Sequence, residues 1–315
     1  MSGCTGTDKK VQILLSTYNG ERYLRAQLDS FVAQTIFQNV SVLIRDDGST
    51  DGTATILQEY KRKYGFCVEY GFNIGTTRSY LWLLEHSDDS CDFFAFSDQD
   101  DVWLPEKIEK EVAEMQRMDS TRPRLVSTHS EIVDKNLRHQ GSSISIKKGV
   151  SFFNAMVQNV CPGHTQLLDR KLRDAVRKTA EPSAVLVVDW WVYLIASGLG
   201  TVEALPEVTV LHRQHGNNTI GYATSPVFQF VTRLRRLHGK TAAAMTRQLK
   251  AFYRCYGCQI ADDYRAELES FLNSLPSLRH RLHYVVSAKI FRQSAMDTMA
   301  VKILYVLGKY CERNS

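Results

Sequence analysis

Three carboxylates crowd the segment Ser97-Asp98-Gln99-Asp100-Asp101-Val102-Trp103, immediately after the apolar run Phe93–Ser97. Like charges this close repel and each is costly to take out of water, so the cluster points to a hard divalent cation such as Mg2+ or Mn2+. A diphosphate would complete that ion's coordination. The plainer alternative is a solvated acidic turn capping the next helix. A second acidic segment, Arg45-Asp46-Asp47-Gly48-Ser49-Thr50-Asp51-Gly52-Thr53, follows another apolar run, Val40–Arg45. A carboxylate there accepts hydrogen bonds from a base imide or a ribose hydroxyl, and the glycines let backbone approach a ligand closely. Taken alone, this segment also reads as a turn with an N-cap.

Both segments must sit at strand ends for this chemistry to combine. The first half of the chain alternates short β-branched runs with amphipathic stretches, the pattern of a mostly parallel sheet with right-handed crossovers. Val11–Ser16 reads as a buried strand, followed after Tyr18, Asn19 and Gly20 by a helix from Glu21 with Leu24, Leu28, Phe31 and Val32 on one face. Val40–Arg45 is a second strand, and the helix after it turns Ile56, Leu57, Tyr60 and Tyr64 inward. Cys67–Tyr70, a helix over Thr77–Glu85 and the strand Phe93–Ser97 come next, then a helix opening at Pro105 that buries Ile108, Val112 and Met115. In an open α/β sheet ligands bind outside the carboxyl ends of strands, so the two acidic loops should face one crevice. Beyond Leu125 the expectation is a strand over Leu125–Thr128, a polar stretch around Gln140–Gly149 and a helix from Asp189. After Gly221 the chain reads as helices, at Val227–Leu237, Ala242–Cys255 and a last pair between His280 and Tyr310.

Composition narrows the classes. The chain has 315 residues, 43% apolar and 23% charged, enough for one large core and an accessory region. No apolar run of spanning length occurs and the start lacks a signal-like stretch, so a cytoplasmic location is expected. Seven scattered cysteines fit reduced thiols, and the Cys255-x-x-Cys258 pair lacks a second pair to complete a zinc site. The net charge of +5 is uneven: from Pro226 onward there are 15 Lys or Arg against 6 Asp or Glu, while the remainder carries 24 against 28. A basic tail of apolar helices suits packing on the core or an anionic membrane surface. Nucleic acid is a poor partner, because the acidic crevice repels phosphate unless a metal is bound. A phosphatase of the haloacid type needs its aspartate loop after the first strand, where Ser16-Thr17-Tyr18-Asn19 stands, and a dehydrogenase needs a Gly-x-Gly-x-x-Gly that is missing there.

STYNGERYL from Ser16, RDDGSTDGT from Arg45, NIGTTRSY from Asn73, FSDQDDVW from Phe96 and LHRQHGNNTIG from Leu211 occur in that order. Together they resemble the inverting family-2 glycosyltransferases of GT-A fold, most of all bacterial rhamnosyltransferases of surface-polysaccharide synthesis, over about residues 11–222. The resemblance implies an α/β GT-A domain at 1–222 and a helical, basic region at 223–315. It implies that Thr17, Tyr18 and Asn19 line the nucleotide pocket, that Asp46 holds the base beside Asp47, and that Arg78 approaches the nucleotide. Asp98 and Asp100 match the D-x-D pair, with Asp100 the direct metal ligand and Asp98 near the ribose, while Asp101 contacts the sugar or supports the loop. Arg213, Gln214 and His215 would close over the diphosphate, His215 as a metal ligand. Asp189, in Val188-Asp189-Trp190-Trp191, falls where the family carries its catalytic base, and a carboxylate is suited to take the acceptor hydroxyl's proton. Asp189 would also serve as a helix N-cap. The implied donor is dTDP-rhamnose or another nucleotide sugar such as UDP-galactose or UDP-GlcNAc, the cofactor Mn2+ or Mg2+, and the acceptor a glycan, lipid-linked. Self-association and a catalytically inactive carbohydrate- or nucleotide-binding relative are the other possibilities. The chain departs from the family pattern at Ser79, where many relatives have Asn, at His164, where they have a smaller residue, and at His212, where they have Tyr.

Overall fold

The computed structural model describes residues 8–143, 145–214 and 240–312. Helix Val227–Leu237 and His215 lie outside the described residues. In chain order the elements are β1 (Val11–Thr17), α1 (Glu21–Val32), β2 (Val40–Asp46), α2 (Thr53–Tyr64), β3 (Cys67–Tyr70), α3 (Thr76–Glu85), β4 (Phe93–Ser97), β5 (Val102–Trp103), α4 (Lys107–Arg117), β6 (Arg124–Val133), β7 (His139–Ser142), α5 (Phe152–Ala155), β8 (Gln166–Asp169), α6 (Arg170–Arg177), α7 (Val188–Leu199), β9 (Thr201–Arg213), α8 (Lys240–Tyr256), α9 (Asp262–Ser274), α10 (Leu278–Ser287) and α11 (Ala295–Val306). Two compact units result. Among the described residues one takes 8–143, 161–177 and 200–214; the other takes 145–160, 178–199 and 240–312.

The first unit is built on one mixed sheet of order β3-β2-β1-β4-β8-β6-β9-β5, with β7 paired to β6. β1 runs parallel to both β2 and β4, and β6 parallel to β9. β8 runs antiparallel between β4 and β6. Alternation of side chains decides the two faces. Val11, Ile13 and Leu15 join Leu24, Leu28 and Phe31 of α1, Ile56, Leu57 and Tyr60 of α2, and Ile108, Val112 and Met115 of α4 in one apolar core. On the opposite face Tyr80 of α3 lies 5.1 Å from the Phe96 ring, and the Arg173 guanidinium of α6 lies 4.6 Å over Phe94. The predicted inward sets hold apart from Val32 and Tyr64, which are half-buried at the ends of their helices. The helix placed at Pro105 begins at Lys107, because Pro105 and Glu106 form the turn that leads into it. The polar stretch from Gln140 contains the short edge strand β7.

The second unit has an aromatic core. Phe152, Trp191, Phe252 and Tyr256 pack in one cluster, and Phe271, Tyr284, Tyr305 and Tyr310 in another. α10 and α11 are tied by Arg281 Nε donating to Val306 O at 3.0 Å and Lys302 Nζ donating to Val285 O at 3.0 Å. Each of these two helices leaves an apolar stripe in water: Leu278, Leu282 and Val286 on α10, and Met296, Met299 and Ile303 on α11, continued by Leu307. Spacings of three and four residues put each stripe on one side of its helix. Among the described residues no helix is long and apolar enough to cross a membrane.

Candidate active site

The register of the central strands brings the first two loops together. Thr17 pairs with Asp46 across β1 and β2, and Leu15 pairs with Ser97 across β1 and β4, so three parallel strands end at one edge. Hydrogen bonds then lock the loops that leave them. Asp47 N donates to Thr17 O at 2.8 Å. The Gln99 side chain accepts from Thr17 Oγ1 at 2.6 Å and Tyr18 N at 2.9 Å, which joins the acidic loop after β4 to the loop after β1. Asn19, held at φ 50°, accepts from Thr50 N at 2.8 Å and donates its own backbone N–H to Ser49 Oγ at 2.8 Å. Asparagine tolerates that left-handed backbone better than most residues, which explains its place in the turn.

Asp46 and Asp47 do different work. The Asp46 carboxylate accepts from Ser49 N at 3.2 Å and from the Ser49 hydroxyl, and Asp46 is 3% exposed. Asp47 ion-pairs with Arg45 and accepts Ile74 N and Gly75 N, each at 3.0 Å. Asp47 is therefore a buried clamp on the loop after β3. Gly48 has φ 84°, and a Cβ there would come 3.0 Å from Gly71 O, so the turn between the two aspartates and that loop requires glycine. Arg78 is exposed in the first turn of α3. Arg45, which motif reading passed over, donates to Phe72 O at 3.0 Å and lies 5.6 Å over the Trp82 ring.

The acidic loop after β4 faces a stacked pair of histidines. Tyr80 Oη donates to Ser97 O at 2.5 Å and to Asp98 Oδ1 at 3.1 Å, while Asp98 Oδ2 lies 3.6 Å from His164 Nδ1. Desolvation works against the Asp98 carboxylate, but the His164 imidazole, with His212 and Tyr80, holds its pKa below the ordinary range. Asp101 is fully buried. Its Oδ1 accepts from His212 Nδ1 at 2.9 Å and Arg213 N at 3.1 Å, and its Oδ2, 3.8 Å from His164 Nδ1, has no hydrogen-bond partner among the described residues. The His164 and His212 rings stack at 4.5 Å with 5° between their planes. Burial disfavours a charged His212, yet its hydrogen bond to Asp101 and the charges of Asp98 and Asp100 push its pKa up to about 9. The two departures at 164 and 212 thus meet in space, from the turn before β8 and from the end of β9.

Arg213 is buried. Its guanidinium donates to Asp100 O at 2.9 Å and Lys135 O at 2.7 Å and lies 4.6 Å over the Tyr23 ring, which fixes the acidic loop's backbone. Gln214 N donates to Val133 O at 2.8 Å. Thr17, Tyr18, Asn19, Asp46, Asp47, Asp98, Asp100, Asp101 and Arg213 are thus connected through the loops at one edge of the sheet. An orphaned carboxylate oxygen beside two imidazoles and a row of aspartates suits a divalent cation.

Asp189 belongs to the second unit. It stands in the first turn of α7, half-buried, with Oδ1 accepting from Trp190 N at 2.7 Å. The two tryptophans after it differ. Trp191 is buried and its Nε1 donates to Thr179 Oγ1 at 2.8 Å, whereas Trp190 is half-buried with Nε1 on Ala155 O at 2.7 Å.

Residues 12–177 match the sequence profile of glycosyl transferase family 2. Over 225 residues the chain is 25% identical to the dTDP-rhamnosyl transferase RfbG of Shigella flexneri, a match that covers 66% of this chain and 73% of RfbG. Its fold resembles that of S. aureus TarS, residues 1–349, solved with UDP-GlcNAc, at a TM-score of 0.56 and 16% identity over 96% of this chain and 93% of TarS. It also resembles the mannosyltransferase PcManGT of Pyrobaculum calidifontis, solved with GDP-Man and Mn2+, at a TM-score of 0.55 and 15% identity over 95% and 85%. With the α/β architecture of a GT-A domain and a profile match across most of its sheet, this chain belongs to glycosyl transferase family 2.

Proposed function

We propose that the chain is a metal-dependent inverting glycosyltransferase that moves L-rhamnose from dTDP-rhamnose to a lipid-linked glycan acceptor in bacterial surface-polysaccharide synthesis. The observation that carries this reading is the convergence of the Asp46 loop and the Asp98–Asp101 loop at one sheet edge, fastened by Gln99. Asp46 takes the base, Thr17, Tyr18 and Asn19 line its pocket, and Asp47 and Arg45 hold the loop after β3 that leads into α3, from whose first turn Arg78 reaches the nucleotide. Asp98 and Asp100, with His215, would hold a Mn2+ or Mg2+ ion whose charge neutralises the departing diphosphate. Gln214 closes over that diphosphate, and Arg213 keeps the acidic loop in position. Asp189 takes the proton of the acceptor hydroxyl as that oxygen attacks the anomeric carbon from the face opposite the leaving group. The Shigella relative supports rhamnose. TarS, solved with UDP-GlcNAc, supports a second reading in which the same pocket takes a UDP-sugar. A panel of nucleotide sugars tested for thermal stabilisation with Mn2+ decides between them: dTDP-rhamnose should give the largest shift, and a larger shift with a UDP-sugar selects the second donor.

The exposed stripes of α10 and α11 give the lipid-linked acceptor a physical basis. Residues 278–312 carry Arg279, Arg281, Lys289, Arg292, Lys302 and Lys309 against only Asp297 and Glu312. Apolar side chains flanked by cations partition into an anionic membrane interface, so residues 223–315 dock the enzyme on the inner leaflet. Burying a side chain such as Leu or Val contributes about 1.5–3 kcal/mol. Changing exposed Leu282 and Val286 together to Asp should therefore weaken binding to anionic phospholipid vesicles by at least about 10-fold. Undiminished binding by that variant would contradict the docking face, and a change of oligomeric state instead would mark the stripes as a self-association surface.

A further inference from the structure

We propose that Asp101, His164 and His212 form a transition-metal site of their own, taking a borderline cation such as Co2+, Zn2+ or Mn2+ through two imidazoles and one carboxylate with no nucleotide present. All three residues belong to the first unit, on three different elements: the acidic loop after β4, the turn before β8 and the end of β9. One ligand atom from each lies within 4.8 Å of the others. Bonds to such ions run about 2.0–2.2 Å, which sets neighbouring ligands roughly 3–4 Å apart, and the observed separations of 2.9 and 3.8 Å from the Asp101 oxygens fit that spacing.

Three details distinguish this from an ordinary hydrogen-bonded cluster. The Asp101 carboxylate is fully buried and its Oδ2 has no hydrogen-bond partner among the described residues, an arrangement costly to keep without a cation. His164 Nε2 lies 3.1 Å from Ser130 Oγ. Without a cation Nδ1–H faces Asp98 and Asp101; with one bound, Nε2–H donating to that hydroxyl would leave the Nδ1 lone pair for the metal. His212 Nδ1 and His164 Nδ1 each face an oxygen of the same Asp101 carboxylate, and a bound cation would displace the proton that His212 shares with it. Imidazole donors suit borderline transition ions better than Mg2+, which prefers oxygen. Asp98 Oδ2, 3.6 Å from His164 Nδ1, is in reach as a fourth donor. The site stands on side chains alone and does not require the glycosyl-transfer reading.

Cobalt titration of nucleotide-free protein, followed by visible absorption, tests it. Wild-type protein should bind Co2+ with a band of imidazole-ligated metal. His164→Gln and His212→Gln should each weaken binding by more than the roughly 10–100-fold typical of losing an outer hydrogen bond, and Ser130→Ala by an amount within that range. Asp100→Asn should keep the visible band of imidazole-ligated Co2+, since Asp100 is not among the three ligands. Electron spin-echo spectroscopy of nucleotide-free His215→Gln protein loaded with Mn2+ leaves the three ligands untouched and should show imidazole-nitrogen couplings. Co2+ affinity equal to wild type in folded His164→Gln and His212→Gln proteins, loss of the imidazole-ligated Co2+ band in Asp100→Asn, or a Mn2+ spectrum of the His215→Gln protein without nitrogen couplings would overturn the assignment, whatever the outcome of the nucleotide-sugar panel.

Discussion

Replacing Asp189 by Asn is expected to lower sugar transfer by about 100- to 10,000-fold while nucleotide binding stays at the wild-type level. The size follows from the work assigned to the carboxylate. A positioned base removes the acceptor proton as the new C–O bond forms, and an amide cannot accept it. The substitution is also selective. Asp189 lies in the first turn of α7, where its Oδ1 accepts from Trp190 N at 2.7 Å, and the Asn side-chain oxygen can accept the same hydrogen bond. A structural cap and a catalytic base therefore predict different outcomes. A cap tolerates Asn with full transfer, whereas a base loses transfer with the fold and nucleotide affinity intact. Single-turnover transfer and equilibrium nucleotide binding on the same preparation separate them.

The second large effect concerns stability. Lys107 and Glu111, one turn apart on α4, form an ion pair with both side chains fully buried, and Lys107 Nζ lies 4.7 Å over the Trp103 ring. Thr128 Oγ1 donates to Glu111 Oε1 at 3.3 Å, and Glu111 Oε2 has no hydrogen-bond partner among the described residues. Burial pushes the Glu111 pKa up and the Lys107 pKa down, opposed in each case by the partner's charge. Lys107→Met leaves the carboxylate buried without its cation and should cost about 3–5 kcal/mol of unfolding free energy, whereas Lys107→Met with Glu111→Leu should be near neutral. The pH dependence has a definite sign. In the single variant Glu111 titrates above its unfolded value, so its neutral form adds stability at low pH that is lost as pH rises through the folded pKa. The deficit measured by urea unfolding should therefore shrink on acidification. A deficit below 1 kcal/mol, roughly the ceiling for an exposed pair, would mean that the pair is solvated.

Elements with a strong local signal were legible in the sequence. β1 to β4 and α1 to α4 carry regular apolar periodicity, several of them bounded by Gly, Asn or Pro, and where the sequence reading gave bounds the observed ones agree to within two residues. β9 was not legible. It runs 13 residues, contains Pro206, is largely exposed or half-buried in its middle, and shifts register against β6, so neither alternation nor a continuous apolar run marks it. β8 is four buried residues held antiparallel by strands distant in sequence. The unseen strands decide the inner site. His164 precedes β8 and His212 ends β9, so their stacking on Asp101 depends on pairings that no local pattern encodes. Each histidine stood out singly as a departure from the family pattern, and the sheet makes them neighbours. The Lys107–Glu111 pair shows the same limit, since its i, i+4 spacing reads as a solvated helix face and only the β6 side of the sheet buries it.

The most direct test of the converging acidic loops is calorimetric titration of dTDP and UDP into the protein, with Mn2+ and with chelator, repeated on Asp46→Ala and Asp100→Asn. Nucleotide uptake should need both the cation and Asp46, and Asp100→Asn should abolish the benefit of Mn2+. Equal uptake with and without metal, or full Mn2+-assisted uptake in both variants, would contradict a donor site at this edge of the sheet.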